Sequence, residues 1–256
     1  MRKEPGALAV TLASDGILHR ADREEALRQV RWMLRLDEDL ASFHAIARKV
    51  QRPDLTWVRR TGAGRLLRSP SVFEDLVRMI CTTNCGWSLT RVMIGSLVAR
   101  LGAPGPPDTM GARAFPTPEA MAGRPVSFYR DEVRAGYRAA GLRDLARRVA
   151  MGDLDPSGWA NPALPDEAVR EAILSIGGVG PYVADNVMKL LGRYSGLGLD
   201  AWCRRVFSER YSGGRKVSDA RIGRFYEPFG PWRGLALWCD VTSDWFDPHG
   251  RARLPL

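Results

Sequence analysis

The segment ILSIGGVGPYVADNVMKLLGRYSGLGLDAWCRRVF, residues 173–207, constrains the fold most, because two helices must meet there through a turn nearly devoid of side chains. Upstream, PDEAVREAILSI opens on Pro165 and an acidic first turn, both helix-start signals. Val169, Ala172, Ile173 and Ile176 then recur at i, i+3, i+4 and i+7, which makes one apolar helical face. Beyond the glycines, Pro181 suits the first position of a second helix, where its missing N–H costs nothing. Val183, Val187, Leu190 and Leu191 give that helix its own apolar face. Gly177, Gly178 and Gly180 permit positive φ and a close backbone approach. The pattern predicts a helix-hairpin-helix over about residues 166–192.

Such a turn presents backbone N–H groups at a helix N-terminus, a site suited to phosphate. Without bulky side chains it can grip a nucleic-acid backbone without reading sequence; the same residues also read as an ordinary glycine-rich αα-turn. Asp200 follows SGLGL at the mouth of the next helix, where an aspartate is commonly an N-cap. A capping carboxylate is compatible with a chemical role. Near a flipped nucleotide it can stabilise an oxocarbenium-like sugar and orient water. Arg204 and Arg205 pair with carboxylates or reach phosphates; the sequence does not separate the two.

Charge agrees with a polyanionic partner. Lys+Arg number 38 against 29 Asp+Glu, a net charge of +9. Lysine is represented by Lys3, Lys49, Lys189 and Lys216, so arginine dominates; a GC-rich genome favours it as well as phosphate recognition does. With 45% hydrophobic and 26% charged residues the chain is a globular protein. No apolar run approaches the length of about 18 residues that a membrane span requires, and MRKEPGALAV develops no signal-like apolar core. The expectation is a cytoplasmic protein, associated with a bacterial nucleoid, with no membrane partner. Cys81, Cys85, Cys203 and Cys239 form no CxxC pair, which argues against zinc ribbons and an iron–sulfur cluster. They read as reduced, mostly buried thiols. His19, His44 and His249 are widely spread.

Residues 1–24 carry two β-like runs, ALAVTL and GILHR, around the turn ASDG, and predict a short hairpin or sheet remnant. From Arg23 the pattern is helical. Leu27, Val30 and Leu34, completed by Met33 and Leu36, form a first apolar face. DEDLASFHAIARKV continues the helical pattern before a loop through RRTGAGRLLRSP. Ser71 opens a helix–break–helix unit with Phe73, Leu76, Val77, Ile80 and Cys81 inward on the first helix, and Val92, Met93, Leu97 and Val98 inward on the second. APGPPDTMGARAFPTPEAMAG reads as a connector between helical lobes, followed by further helix through FYRDEVRAGYRAAGLRDLARRVAMG.

LSIGGVGPYVADNV followed by LGLDAWCRRVF resembles the helix-hairpin-helix DNA glycosylase superfamily, whose signature is this hairpin followed by an essential aspartate. LRQVRWMLRLDEDL, GRLLRSPSVFEDLVRMICTTNCGWSLTRV, FPTPEAMAG and FGPWRGLALWCDVTSDW fall in the order of its 8-oxoguanine and 3-methyladenine glycosylase II branches, over about residues 25–245. The resemblance implies a mostly α fold. Two interlocked helical lobes within 25–256 would flank an active-site cleft, with the β element reduced to residues 1–24. It implies Asp200 as catalytic aspartate. Gly178, Val179 and Gly180 would hold the DNA backbone, their carbonyls able to take a K+ or Na+ ion, with no other cofactor. Asn84 would lie where the family fills the gap left by a flipped base, or else cap a helix break.

Tyr182 occupies the position of the lysine that forms a Schiff base in strand-cutting members, and a phenol cannot form that imine. Lys189 lies about two turns, roughly 10 Å, further along the same helix. Tyr182 either meets the extruded base or is a half-buried tyrosine at a helix start. Leu237 and Val241 match the positions that supply a glutamine and a phenylalanine to oxidised guanine, which weakens that substrate. Trp202 and Trp238 offer aromatic faces for an electron-poor alkylated purine, or belong to the core. The reading is a monomeric, monofunctional glycosylase of base-excision repair, acting on a modified, alkylated purine in double-stranded DNA. The alternatives are a bifunctional or oxidised-purine enzyme and a non-catalytic lesion-binding module.

Overall fold

A computed structural model describes residues 3–4, 7–14, 16–51, 53, 55–106 and 111–245; His249 lies outside them. The described residues are overwhelmingly helical, with two two-residue strands. β1 (Lys3–Glu4) pairs antiparallel with β2 (Ala7–Leu8) in the register Lys3↔Leu8. The predicted second strand, GILHR, does not form. Ile17 is 85% exposed, and His19 instead caps helix α1 (Arg20–Leu34), its N–H bonded to Asp22 Oδ2 at 2.9 Å. The chain divides into two compact units, one of residues 1–37, 67–158 and 176–178, the other of 38–66, 159–175 and 179–256. Among the described residues no helix is long and apolar enough to cross a membrane.

In the first unit the predicted α1 face is not a core face. No residue of α1 is fully buried, and Leu27 and Leu36 are exposed. The helix is anchored through Trp32, which donates to Ser69 O at 3.0 Å and lies under the Arg68 guanidinium. Helix α4 (Val72–Cys81) starts where Ser71 Oγ accepts from Glu74 N at 3.2 Å, and its five expected core residues are all buried. On α5 (Trp87–Leu101) the inner face runs through Thr90, Met93 and Leu97, while Val92 is exposed and Val98 only half-buried. Thr90 takes the inner place because its hydroxyl donates to Cys81 O at 3.1 Å, which turns the buried stripe away from Val92.

The proline-rich stretch after α5 does not join two lobes. It doubles back within the first unit through the Pro104↔Arg113 bridge and leads to α6 (Pro118–Ala122). A π-turn at Phe128–Glu132 and a 3-10 turn at Gly136–Arg138 precede α7 (Ala139–Ala150), whose Leu142, Leu145 and Ala146 are buried.

The second unit packs α2 (Ala41–Lys49), α3 (Thr56–Thr61), α8 (Asp166–Leu174), α9 (Pro181–Leu190), α10 (Ala201–Ser212), α11 (Asp219–Tyr226) and α12 (Arg233–Val241). Phe43, Phe207, Tyr226 and Phe229 fill its centre. Buried Asp240 joins three helices there, accepting from Tyr211 and Tyr226 hydroxyls and pairing with Arg210 at 2.9 Å. Its desolvated carboxyl is held above the usual aspartate range by burial, against the pull of those donors.

Within the first unit the turn residue Gly177 meets α7 through its carbonyl. A Cβ built at Gly141 would lie 2.3 Å from Gly177 O. Gly141→Ala must therefore push two backbones apart, and the expected loss is about 1–3 kcal/mol in urea unfolding, with unchanged m-value.

Candidate functional site

The hairpin forms as read from the sequence, with its glycines doing different jobs than expected. Of the three, Gly178 alone has positive φ, at 81°. Gly180 is extended (φ −107°, ψ 179°) and precedes Pro181 as the N-cap of α9, an end that no side chain caps. A Cβ on Gly177, Gly178 or Gly180 would meet nothing within 4 Å, so these residues leave open space rather than admit a neighbour. The close approach expected of the turn is made by the Gly177 carbonyl on Gly141. Val179 is half-buried.

After α9 the chain returns along that helix and sets down Asp200. Gly196 and Gly198 let the loop lie close against α9 side chains here. A Cβ at Gly196 would lie 2.6 Å from Asp185 Cγ, and one at Gly198 (φ 56°) 2.6 Å from Asn186 Nδ2. With no side chains between them, loop and helix bond directly. Gly198 N donates to Asp185 Oδ2 at 3.2 Å, and Asn186 Nδ2 donates to Tyr182 O at 2.8 Å and Gly198 O at 3.3 Å. Lys189 Nζ donates to Leu197 O at 2.6 Å and to Asn186 Oδ1 at 3.3 Å. On the other side Gly234 N donates to Tyr194 O at 2.8 Å, and Arg233 bonds Ser195 O. Asp200 is then the extended N-cap of α10, its Oδ1 accepting from Cys203 N at 2.7 Å.

Lys189 is 3% exposed. Burial pulls its amine down to about 8, opposed by the nearby Cys203, Asp185 and Asp200. The Cys203 thiol is pushed up to about 12, by burial and then by Asp200, so it stays protonated near neutrality. The sequence reading treated Lys189 only as a displaced nucleophile. The signal it left unused is that Lys189 lies one helical turn beyond both Asp185 and Asn186, with Gly196 and Gly198 following in the next segment.

Tyr182 is half-buried and lines a cavity of about 840 Å³ with Asp185, Gly196, Leu199 and Arg204. Trp202 and Trp238 do not line it. They pack with Trp245, which sequence reasoning passed over: Trp202 stacks on it with centroids 5.5 Å apart, and Trp238 meets it edge-on at 5.8 Å. All three indoles are half-buried. Leu237 and Val241 are buried in the unit's core. Arg204 makes two bonds to Asp219, at 2.7 and 2.8 Å, and Arg205 pairs with Glu209 at 3.5 Å; both arginines are carboxylate partners.

In the first unit, Asn84 is exposed at positive φ (44°) in the turn after α4. Its Nδ2 donates to Tyr137 OH at 3.0 Å, which also lies 3.0 Å from Thr83 Oγ1. Arg138, buried beneath, donates to Thr83 Oγ1 at 3.0 Å and bonds Thr83 O. The turn thus presents an amide and a 63%-exposed phenol, Tyr137, that the sequence reading had not singled out. Among the described residues no cluster of three or more His, Cys, Asp or Glu side chains can hold a metal ion.

These features define an α-helical helix-hairpin-helix protein with an aspartate set just beyond the hairpin's second helix. Its fold is that of the helix-hairpin-helix DNA glycosylases. The Clostridium acetobutylicum 8-oxoguanine glycosylase/lyase, in complex with double-stranded DNA containing cytosine opposite 8-oxoguanine, is 25% identical with a TM-score of 0.69, over 86% of this chain and 75% of that one. MBOgg1 in complex with a low-affinity DNA ligand is 24% identical with a TM-score of 0.72, over 89% and 77%. The 3-methyladenine DNA glycosylase of Archaeoglobus fulgidus is 19% identical with a TM-score of 0.69, over 90% and 78%. No protein-family model matches the chain, and no curated protein matches it.

The buried amine has a measurable signature. Unfolding returns Lys189 to its ordinary value of 10.5, so between about 8 and 10.5 the unfolded chain binds more protons than the folded one. Its contribution to stability must rise with pH across that window. Urea titrations of wild type and Lys189→Met should therefore differ by a gap that moves in favour of the wild type as pH increases from 8 to 10.5.

Proposed function

We propose that the chain is a DNA N-glycosylase of base-excision repair that hydrolyses the bond between sugar and a flipped, modified base in double-stranded DNA, leaving an abasic site. The observation that carries this reading is Asp200: a carboxylate fixed by the Cys203 N–H at a helix start, on a loop bound to the helix that the hairpin opens. In the reaction, extrusion of the nucleotide precedes chemistry. As the glycosidic bond breaks, positive charge develops on the sugar, and the fixed carboxylate stabilises it and orients the attacking water. Because Asp200 is already held, little reorganisation accompanies that step.

Gly178, Val179 and Gly180 hold the DNA backbone at the open, uncapped start of α9, where N–H groups and the helix dipole favour phosphate. A K+ or Na+ ion at the hairpin carbonyls fits the same role; Gly177 O is turned onto Gly141, which leaves the remaining carbonyls for it. Asn84 fills the helix beside the extruded nucleotide, steadied by Tyr137. The base enters the cavity that Tyr182 lines, and the aromatic face of Tyr182 favours an electron-poor alkylated purine; Trp202 and Trp238, packed on Trp245, stand outside that lining. The absence of a glutamine donor at Leu237, buried in the core, counts against oxidised guanine. The enzyme acts as a monomer on nucleoid DNA.

Replacing the carboxylate by an amide isolates the chemical step. Asp200→Asn keeps a capping oxygen, so fold and DNA affinity should persist while single-turnover excision at saturating duplex falls by about 100-fold or more. Normal turnover would remove Asp200 from the mechanism. Gly180→Glu adds a negative side chain at the backbone-gripping turn. It should weaken binding to damaged and undamaged duplexes alike and flatten the salt dependence; a loss confined to damaged DNA would contradict the role.

Strand scission distinguishes hydrolysis from lyase chemistry. With a phenol at position 182 and the Lys189 amine buried against the Leu197 carbonyl, the product strand should stay intact until hot alkali. Borohydride should trap no protein–DNA adduct above background, whereas efficient trapping would identify a bifunctional enzyme.

A further inference from the structure

We propose that Lys189 is a positioning residue for Asp200, tying the returning loop to α9 so that the carboxylate stands at one fixed place. The inference rests on the glycosylase reading for its activity arm only. A lysine is an expensive choice in this place, because burying an ammonium is costly unless it is paired and hydrogen-bonded. An apolar side chain of similar length would fill the same inward position on α9 beside Val187 and Met188. What the amine adds is a bond to Leu197 O at 2.6 Å, three residues before Asp200, and one to Asn186 Oδ1 at 3.3 Å. The second bond orients the Asn186 amide, whose nitrogen holds Tyr182 O and Gly198 O. One buried cation thus fixes the loop directly and, through Asn186, couples it to the backbone of Tyr182.

The groups facing the amine fit this role. Asp185, from α9 itself, binds Gly198 N; Cys203 and Asp200 come from the start of α10; and Gly234 of α12 leaves room for the lysine, a Cβ there falling 3.0 Å from Lys189 Cε. The amine donates into the loop rather than into the cavity that Tyr182 lines, which Lys189 does not border. It acts through Asp200 and does not touch the reacting sugar.

The test compares the wild type with Lys189→Met, which keeps length without donor or charge, and Lys189→Gln, which keeps a donor without charge. Hydrogen exchange over residues 195–203 reads loop order independently of activity. Single-turnover excision and duplex Kd separate the chemical step from binding. The expected result is faster exchange in Lys189→Met at Gly198 and Cys203, unchanged Kd, and an excision rate lowered up to about 100-fold, the scale set by misplacing a catalytic group by about 1 Å. Lys189→Gln should recover part of both. Wild-type exchange and rate in Lys189→Met would overturn the proposal. So would a loss expressed only in Kd, or a borohydride adduct in wild type that disappears in both variants, which would make Lys189 the nucleophile. If Lys189→Met does not fold, Lys189→Gln decides by the same readouts. If the wild type excises no base from any modified duplex, the glycosylase reading falls, and exchange alone still decides whether Lys189 orders the loop.

Discussion

The seating of residues 194–200 on α9 is the constraint on which the candidate site depends. The loop backbone lies there directly against two α9 side chains, Gly196 against Asp185 and Gly198 against Asn186, where an added Cβ would crowd them. The polar backbone groups that the loop turns onto the helix are satisfied from that helix. Asp185, Asn186 and Lys189 do it with one N–H and two carbonyls between them. The glycines and the polar triplet face one another across the same contact. Its output is the location of Asp200, because a chain held through Gly198 has little freedom two residues later.

The same contact is closed from behind. Gly234 opens α12 against the loop, with a Cβ there falling 2.1 Å from Gly196 O, and its N–H holds Tyr194 O. Arg193 bonds the carbonyls of Asn161 and Leu164 and pairs with Asp166, joining the start of α8 to the end of α9. The loop therefore sits between elements that are themselves fixed, and rigid surroundings are what the role proposed for Asp200 requires.

How much of this was legible in the sequence follows from the range of each interaction. Local chemistry was readable: the Ser71 cap, the α4 face, the hairpin with Pro181 at its helix start, and Asp200 as a cap. Each depends on residues within four positions of one another. The failures depend on contacts distant in sequence. Val92 looked inward until Thr90 found Cys81 O, and the α1 stripe looked buried although the helix is held by Trp32 and Arg68. GILHR is the exception, a local failure: it had strand composition, but the His19–Asp22 cap, three residues apart, starts α1 at its last residue, Arg20. The hairpin glycines show the same split. Their existence was legible, whereas only the structure reveals that Gly178 uses its positive φ and that Gly141, 36 residues away, receives the Gly177 carbonyl.

Tyr182 and Lys189 together describe how one helix divides structure from chemistry. A lyase needs an amine that is both nucleophilic and able to reach sugar. Burial supplies the first condition at Lys189, whose amine sits at about 8, and denies the second, since the amine is spent on Leu197 O. At Tyr182 the order is reversed: the side chain reaches the cavity, and its phenol has no imine chemistry. Neither position combines the two requirements. A single helix can thus present a half-exposed aromatic group lining a cavity at its open end and a buried cation two turns deeper, the latter bonded to the loop that leads to Asp200. The proposed release of base by water thus rests on where the amine is placed as much as on the phenol at position 182.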